Sequence, residues 1–70
     1  MIQEQERKRI GLRVAELRKA KGMTQEDLSA RCGLGRSHIA RIERGCYNFQ
    51  LDTLSHIAKA LGYRIDFVQE

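Results

Sequence analysis

Three arginines, Arg36, Arg41 and Arg44, share the stretch CGLGRSHIARIERG, residues 32–45, with two isoleucines, Ile39 and Ile42. A guanidinium is a planar fork of donors, and guanine presents two matching acceptors, O6 and N7, in the major groove of DNA. At about 100° per residue on a helix, the isoleucines define one side. Ser37, Arg41 and Arg44 fall close to the opposite side, Ala40 and Arg36 on one flank, and His38 on the other. A helix built this way is held by its apolar side and presents the other. Arg36, Ser37 and Arg41 are then candidates for reading base edges, and the Ala40 methyl for touching a thymine methyl. Arg44, near the helix end, is better placed for a backbone phosphate.

Glu43 belongs to a different chemistry. It lies beside the isoleucines, where an unpaired carboxylate is costly to bury. Arg18 is the candidate partner, and a partly buried Arg18–Glu43 pair would orient the helix rather than touch DNA. Other chemistries find little support. No glycine-rich phosphate loop, paired catalytic carboxylates or nucleophile–base arrangement appears, so an enzyme is not expected. Cys32, His38, Cys46 and His56 are the soft metal-ligand candidates, and their spacing matches no common zinc pattern. No metal or other cofactor is expected, and the two cysteines read as free thiols.

The elements that must position these residues follow from periodicity. From Gln3 to Lys21 the pattern is helical, with Ile10, Val14 and Leu17 one turn apart and charges between them. Thr24 reads as an N-cap, with Asp27 in a capping-box-like position. The second helix runs to about Cys32, buries Leu28 and Cys32, and keeps Ser29 small where helices approach. A turn through Gly33 and Leu34 leads to a third helix from Arg36 to Arg44. Two short helices joined by a glycine-containing turn describe a helix-turn-helix. Residues 46–50 form a loop, and a fourth helix covers about Leu51 to Leu61, with Leu54, Ile57, Ala58 and Leu61 apolar. The glycines at 11, 22, 33, 35, 45 and 62 supply most of the punctuation. In the tail GYRIDFVQ, Tyr63, Ile65 and Phe67 alternate with other residues at strand spacing, yet no second strand exists in the chain to pair with it.

A chain of 70 residues, 41% hydrophobic and 31% charged, suits one small soluble domain with little margin of stability. Its net charge of +4 and pI near 9.5 fit a polyanionic partner. No window is apolar enough to span a membrane, and MIQEQERKRI lacks the apolar run of a signal peptide, so a cytoplasmic location is expected.

The stretches "IGLRVAELRKAKGMTQEDLSARCGLGRSHIARIERG" and "LDTLSHIAKALG" together resemble the Cro- and Xre-type helix-turn-helix family, the lambda-repressor-like DNA-binding domains, over about residues 10–62. The IGxR opening, Arg18, GMTQEDL, IERG and TLxxIAKALG carry the resemblance. It implies an all-α bundle of four to five helices that binds operator DNA, usually as a homodimer. It also implies that Gln25 contacts a phosphate, that Arg36, Ser37 and Arg41 occupy base-reading positions, and that Arg44 and Asn48 lie where backbone contacts are common. Two departures stand out. Gly35 replaces the Ser or Thr that often caps the third helix, and Phe49-Gln50 replaces a common Pro-Ser, which weakens the fourth helix's N-cap. Phe49 is expected to plug the core. The tail is similar to the C-terminal strand of some antitoxin-type members, in which strands of two protomers pair.

These observations divide the chain into a DNA-binding domain, residues 1–62, and a candidate dimerisation strand, residues 63–70, with Tyr63, Ile65 and Phe67 on its pairing face. The function expected is a dimeric, sequence-specific transcriptional regulator, a repressor, reading a two-fold symmetric operator in double-stranded DNA. The alternative is an antitoxin that binds a toxin protein and autoregulates its operon.

Overall fold

The computed structural model describes residues 2–46 and 48–70, so position 47 of the expected loop lies outside the described residues. Four helices follow in order: α1 (Ile2–Ala20), α2 (Gln25–Cys32), α3 (Arg36–Glu43) and α4 (Leu51–Ala60). The sequence-based boundaries hold to within one residue, with Arg44 and Leu61 acting as C-caps rather than last helical residues. The chain is all-α with four helices among the described residues, not five.

Each helix stops or starts for a local reason. After α1 the chain turns at Gly22, whose φ is +70°, and the Gly22 and Met23 N–H groups donate to the Lys19 and Arg18 carbonyls at 2.9 and 3.1 Å. Those bonds satisfy carbonyls that a helix end leaves open, and the buried Met23 side chain closes the turn against the core. Thr24 then caps α2. Its Oγ1 accepts from the Asp27 N–H at 3.0 Å, and Asp27 Oδ2 accepts from the Thr24 N–H at 2.8 Å, so the capping box is complete. The Thr24 backbone donor, followed by its side chain, holds the Asp27 carboxyl below the usual aspartate range. Gly33, with φ +78°, ends α2 in the left-handed region. By contrast, α3 and α4 begin at Gly35 and Gln50 with no side-chain cap.

α2 packs against both α3 and α4, and α1 packs against α3. Leu28, Ile39, Ile42 and Ile57 have no exposed surface, and Val14, Met23 and Leu61 complete the core. Ile10, Leu17, Cys32, Leu34, Leu54 and Phe49 are half-buried around it. Phe49 thus packs against the core rather than standing exposed.

Gly11 does not punctuate the chain. It lies inside α1 and is buried, and a Cβ there would run into the Ile42 carbonyl oxygen and reach 2.9 Å from that of Glu43. The absent side chain is what lets α1 touch the C-terminal end of α3. Gly45 serves the same contact from the other side: at φ +72° a Cβ would stand 2.6 Å from the Lys8 Cα. This is a close backbone approach of the kind only glycine permits.

The tail departs from its expected form. Residues 63–70 have no regular secondary structure and are exposed, and no strand occurs among the described residues. The reason is physical: a strand is completed by hydrogen bonds to a neighbouring strand, and a single copy of the chain contains none. Among the described residues no helix is long and apolar enough to cross a membrane.

Candidate nucleic-acid interface

The turn between α2 and α3 is fixed by side chains as well as by Gly33. The Ser29 hydroxyl donates to the Leu34 carbonyl, tying the last turn of α2 to the connection beyond it. Leu28, Ile39 and Ile42 seal the inner angle between the two helices. With its isoleucines turned inward, α3 leaves Arg36, Ser37, Arg41 and Arg44 exposed, while Ala40 is half-buried.

The structure gathers Gln25, Arg36, Ser37, Ala40, Arg41, Glu43 and Arg44 around one open concavity of about 610 Å³. Gln25 reaches it from the first residue of α2, and the others come from α3 and its C-cap. Asn48 is exposed in the following loop and does not line this concavity.

Arg18 and Glu43 meet beneath it. Arg18 Nε donates to Glu43 Oε2 at 2.6 Å, and Nη2 donates to Oε1 at 3.1 Å, a two-pronged pair whose side chains are only 9% and 7% exposed. The remaining terminal nitrogen, Nη1, donates to the Met23 carbonyl at 2.7 Å. One guanidinium therefore joins the end of α1, the turn before α2 and the end of α3. Sheltered charges of this kind need hydrogen-bond partners, and each guanidinium nitrogen of Arg18 and each carboxylate oxygen of Glu43 has at least one.

Sequence reasoning missed the third member of this group. Gln25 Nε2 donates to Glu43 Oε1 at 3.0 Å, which places the amide against the carboxylate at the rim of the concavity. The signal was legible only in part: Gln25 and Glu43 stand 18 residues apart, and periodicity carries no information over that distance. Gln25's second amide hydrogen is not used by this bond, so one donor remains for an acceptor outside the protein.

The soft ligands do not converge. Among the described residues no group of three or more His, Cys, Asp or Glu is placed to hold a metal ion. Cys32 is half-buried and Cys46 exposed, both as free thiols. The Cys46 thiol lies 3.6 Å from the Arg41 carbonyl oxygen.

Comparison with known proteins places the chain in a family. Residues 14–68 match the family described as helix-turn-helix. An uncharacterized HTH-type transcriptional regulator of Sinorhizobium fredii, y4dJ, is 43% identical over 56 residues, covering 80% of this chain and 73% of that protein. The control protein C.BamHI of Bacillus amyloliquefaciens is 44% identical over 54 residues, 76% of this chain and 67% of its own length. The immunity repressor of Bacillus phage phi105 is 39% identical over 84% of this chain, which spans only 41% of that repressor. Among solved structures, the restriction-modification controller protein C.AhdI of Aeromonas hydrophila superposes with a TM-score of 0.81. It is 39% identical, covering 84% of this chain and 89% of its own. The controller C.Esp1396I, solved as a tetramer in complex with its natural 35-base-pair operator, gives a TM-score of 0.78 at 35% identity, over 81% of this chain and 75% of its own. Shared sequence over most of the chain and a shared lambda-repressor-like fold lead to one conclusion: this chain belongs to the Cro- and Xre-type helix-turn-helix family of DNA-binding transcriptional regulators.

Proposed function

We propose that the protein is a dimeric repressor that places α3 in the major groove of a two-fold symmetric operator. Arg36, Ser37 and Arg41 read base edges, and Gln25, Arg44 and Asn48 hold the sugar-phosphate backbone on either side. The observation that carries this reading is the convergence of Gln25 from α2 with Arg36, Ser37, Arg41 and Arg44 around one open concavity. Donors from two helices then face the same space, as a helix-turn-helix requires if one helix is to sit in the groove while the other meets the backbone. The operator complex of the controller C.Esp1396I supports the assignment of DNA as the ligand. Regulators and controllers among the relatives favour this over the antitoxin reading.

Dimerisation rests on the tail. Tyr63, Ile65 and Phe67 are large, exposed and alternate along the chain, and pairing them with a second copy would cover them and occupy an open backbone edge. Two recognition helices would then read half-sites about 34 Å apart, one turn of the duplex.

Selection of bound sequences from a random duplex library at near-physiological salt tests the proposal. The expected outcome is a two-fold symmetric site, with binding that weakens steeply as salt rises. Within that site Arg41→Ala is expected to cost about 1–3 kcal/mol and relax preference at one base position, whereas Arg44→Ala weakens all sequences alike. No enrichment, with binding abolished by modest salt, would reduce the basic face to a general polyanion surface.

A further inference from the structure

The tail carries more than an unpaired edge: its charges specify how two copies must align. We infer that the tails of two copies pair antiparallel with residue 65 on the two-fold axis. Arg64 of each copy then faces Asp66 of the partner subunit, and Tyr63 faces Phe67 of the partner subunit. This rests on the dimer reading given above and adds the register to it.

The observations start with exposure. Tyr63 and Ile65 are 49% and 41% exposed, and Phe67 is 100% exposed. Tyr63, Arg64, Ile65 and Asp66 all border an apolar groove of about 250 Å³, walled by Ile10, Val14, Leu17 and Leu54 of α1 and α4. Phe67 lies beyond it, fully exposed. The tail backbone is open as well. The Tyr63 N–H donates to the Ala58 carbonyl at 2.8 Å, and beyond it no backbone group of 64–70 bonds to the backbone of the described residues. The Phe67 N–H is turned onto the neighbouring Asp66 Oδ1 at 2.8 Å, leaving Oδ2 for another donor.

In an antiparallel pair, residues directly opposite each other share a face, and their side chains interact. Across a two-fold axis at 65, one step up one strand meets one step down the other. Residue 64 faces 66, twice, and 63 faces 67, twice. In a paired strand the central isoleucines and both aromatic pairs lie on one face. Two opposite-charge pairs lie on the other. Every neighbouring register is worse. An axis at 64 sets Arg64 against its own copy, and an axis at 66 does the same with Asp66; like charges directly opposite are unfavourable. An axis at 67 also forms opposite-charge pairs, Arg64 with Glu70, but it sets Asp66 against Val68 and Ile65 against Gln69 and separates Tyr63 from Phe67. An axis between residues turns the apolar face of one strand onto the charged face of the other. The alternation of Arg64 and Asp66 about Ile65 therefore selects a second copy of this chain as the occupant, in one alignment.

Sedimentation of four purified chains and one mixture tests the register: the natural chain, Arg64→Asp, Asp66→Arg, the double swap, and the two single variants mixed equally. The natural chain is expected to be a dimer. Each single variant places like charges opposite each other at both positions, and its dimer is expected to weaken about tenfold. The double swap restores both opposite-charge pairs without changing net charge, and recovers the dimer. The mixture restores them only between unlike chains, and is expected to form heterodimers more tightly than either chain pairs with itself. Both side chains are exposed, and far-UV circular dichroism checks that each variant keeps its helices. A dimer indifferent to the single changes, or a mixture as weak as its parts, overturns the register while leaving the dimer in place. A natural chain that sediments as a monomer overturns the dimer reading and the register with it.

Discussion

The segment from Gly11 to Gly45 and the segment after it are built to different standards. In the first, α2 starts with a complete capping box, the turn is tied by Ser29, and the end of α3 is held by a sheltered ion pair and two close glycine contacts. In the second, residues 63–70 have no regular secondary structure and the tail leaves Phe67 bare. The difference teaches where the molecule needs precision by itself. On the proposed reading, α3 must be oriented before DNA arrives, because placement within about 0.5 Å depends on a supporting shell. The tail, on the same reading, is completed by a second copy and gains nothing from being fixed alone.

Substitutions in the two segments sharpen this contrast. The largest effect is expected from Glu43→Ala, which leaves the nearly buried Arg18 without its carboxylate. Breaking such a pair costs about 3–5 kcal/mol, against a total of roughly 4–10 kcal/mol for a domain of this size. Urea unfolding measures it, and a loss below ~1 kcal/mol would show that the pair does not brace α3. Gly11→Ala comes next. The new methyl meets backbone carbonyls, which cannot step aside as a flexible side chain would, and overpacking of this kind costs about 1–3 kcal/mol. Thr24→Ala removes one half of the capping box and is expected to lower stability by about 1 kcal/mol, read as a shift in the thermal midpoint. Phe67→Ser closes the series. In a dilute monomer it should change stability by less than about 0.5 kcal/mol, as exposed positions usually do. A large loss there would mean that the tail belongs to the monomer's core, and the contrast between the two segments would fail.

Local features were legible in the sequence because their causes are local. Thr24 and Asp27 sit three residues apart, and the spacing of Ile39 and Ile42 states which side of α3 is inward. Arg18 and Glu43 were also within reach, since a carboxylate beside isoleucines demands a partner. The Gln25–Glu43 bond and the Ser29–Leu34 link were not read, because nothing in either residue's own neighbourhood requires the other. Gly11 was misread as punctuation for the same reason: its need for a missing side chain comes from α3, more than thirty residues onward. The tail's alternation was read as a strand. Alternation records which face of a segment is apolar, and says nothing of whether a second strand is at hand.

One oxygen of the molecule has a consequence for accuracy. Glu43 Oε1 accepts from both Arg18 Nη2 and Gln25 Nε2, so the first residue of α2 and the end of α3 are measured from the same atom. Positional errors in two helices normally accumulate through the loop that joins them. Here they are referred to a common fiducial mark: the Gln25 amide is tied to the end of α3 by a direct hydrogen bond as well as through the turn. On the proposed reading, a residue that meets the backbone and a helix that reads bases are thereby tied to one carboxylate, as the two jaws of a calliper are tied to one beam.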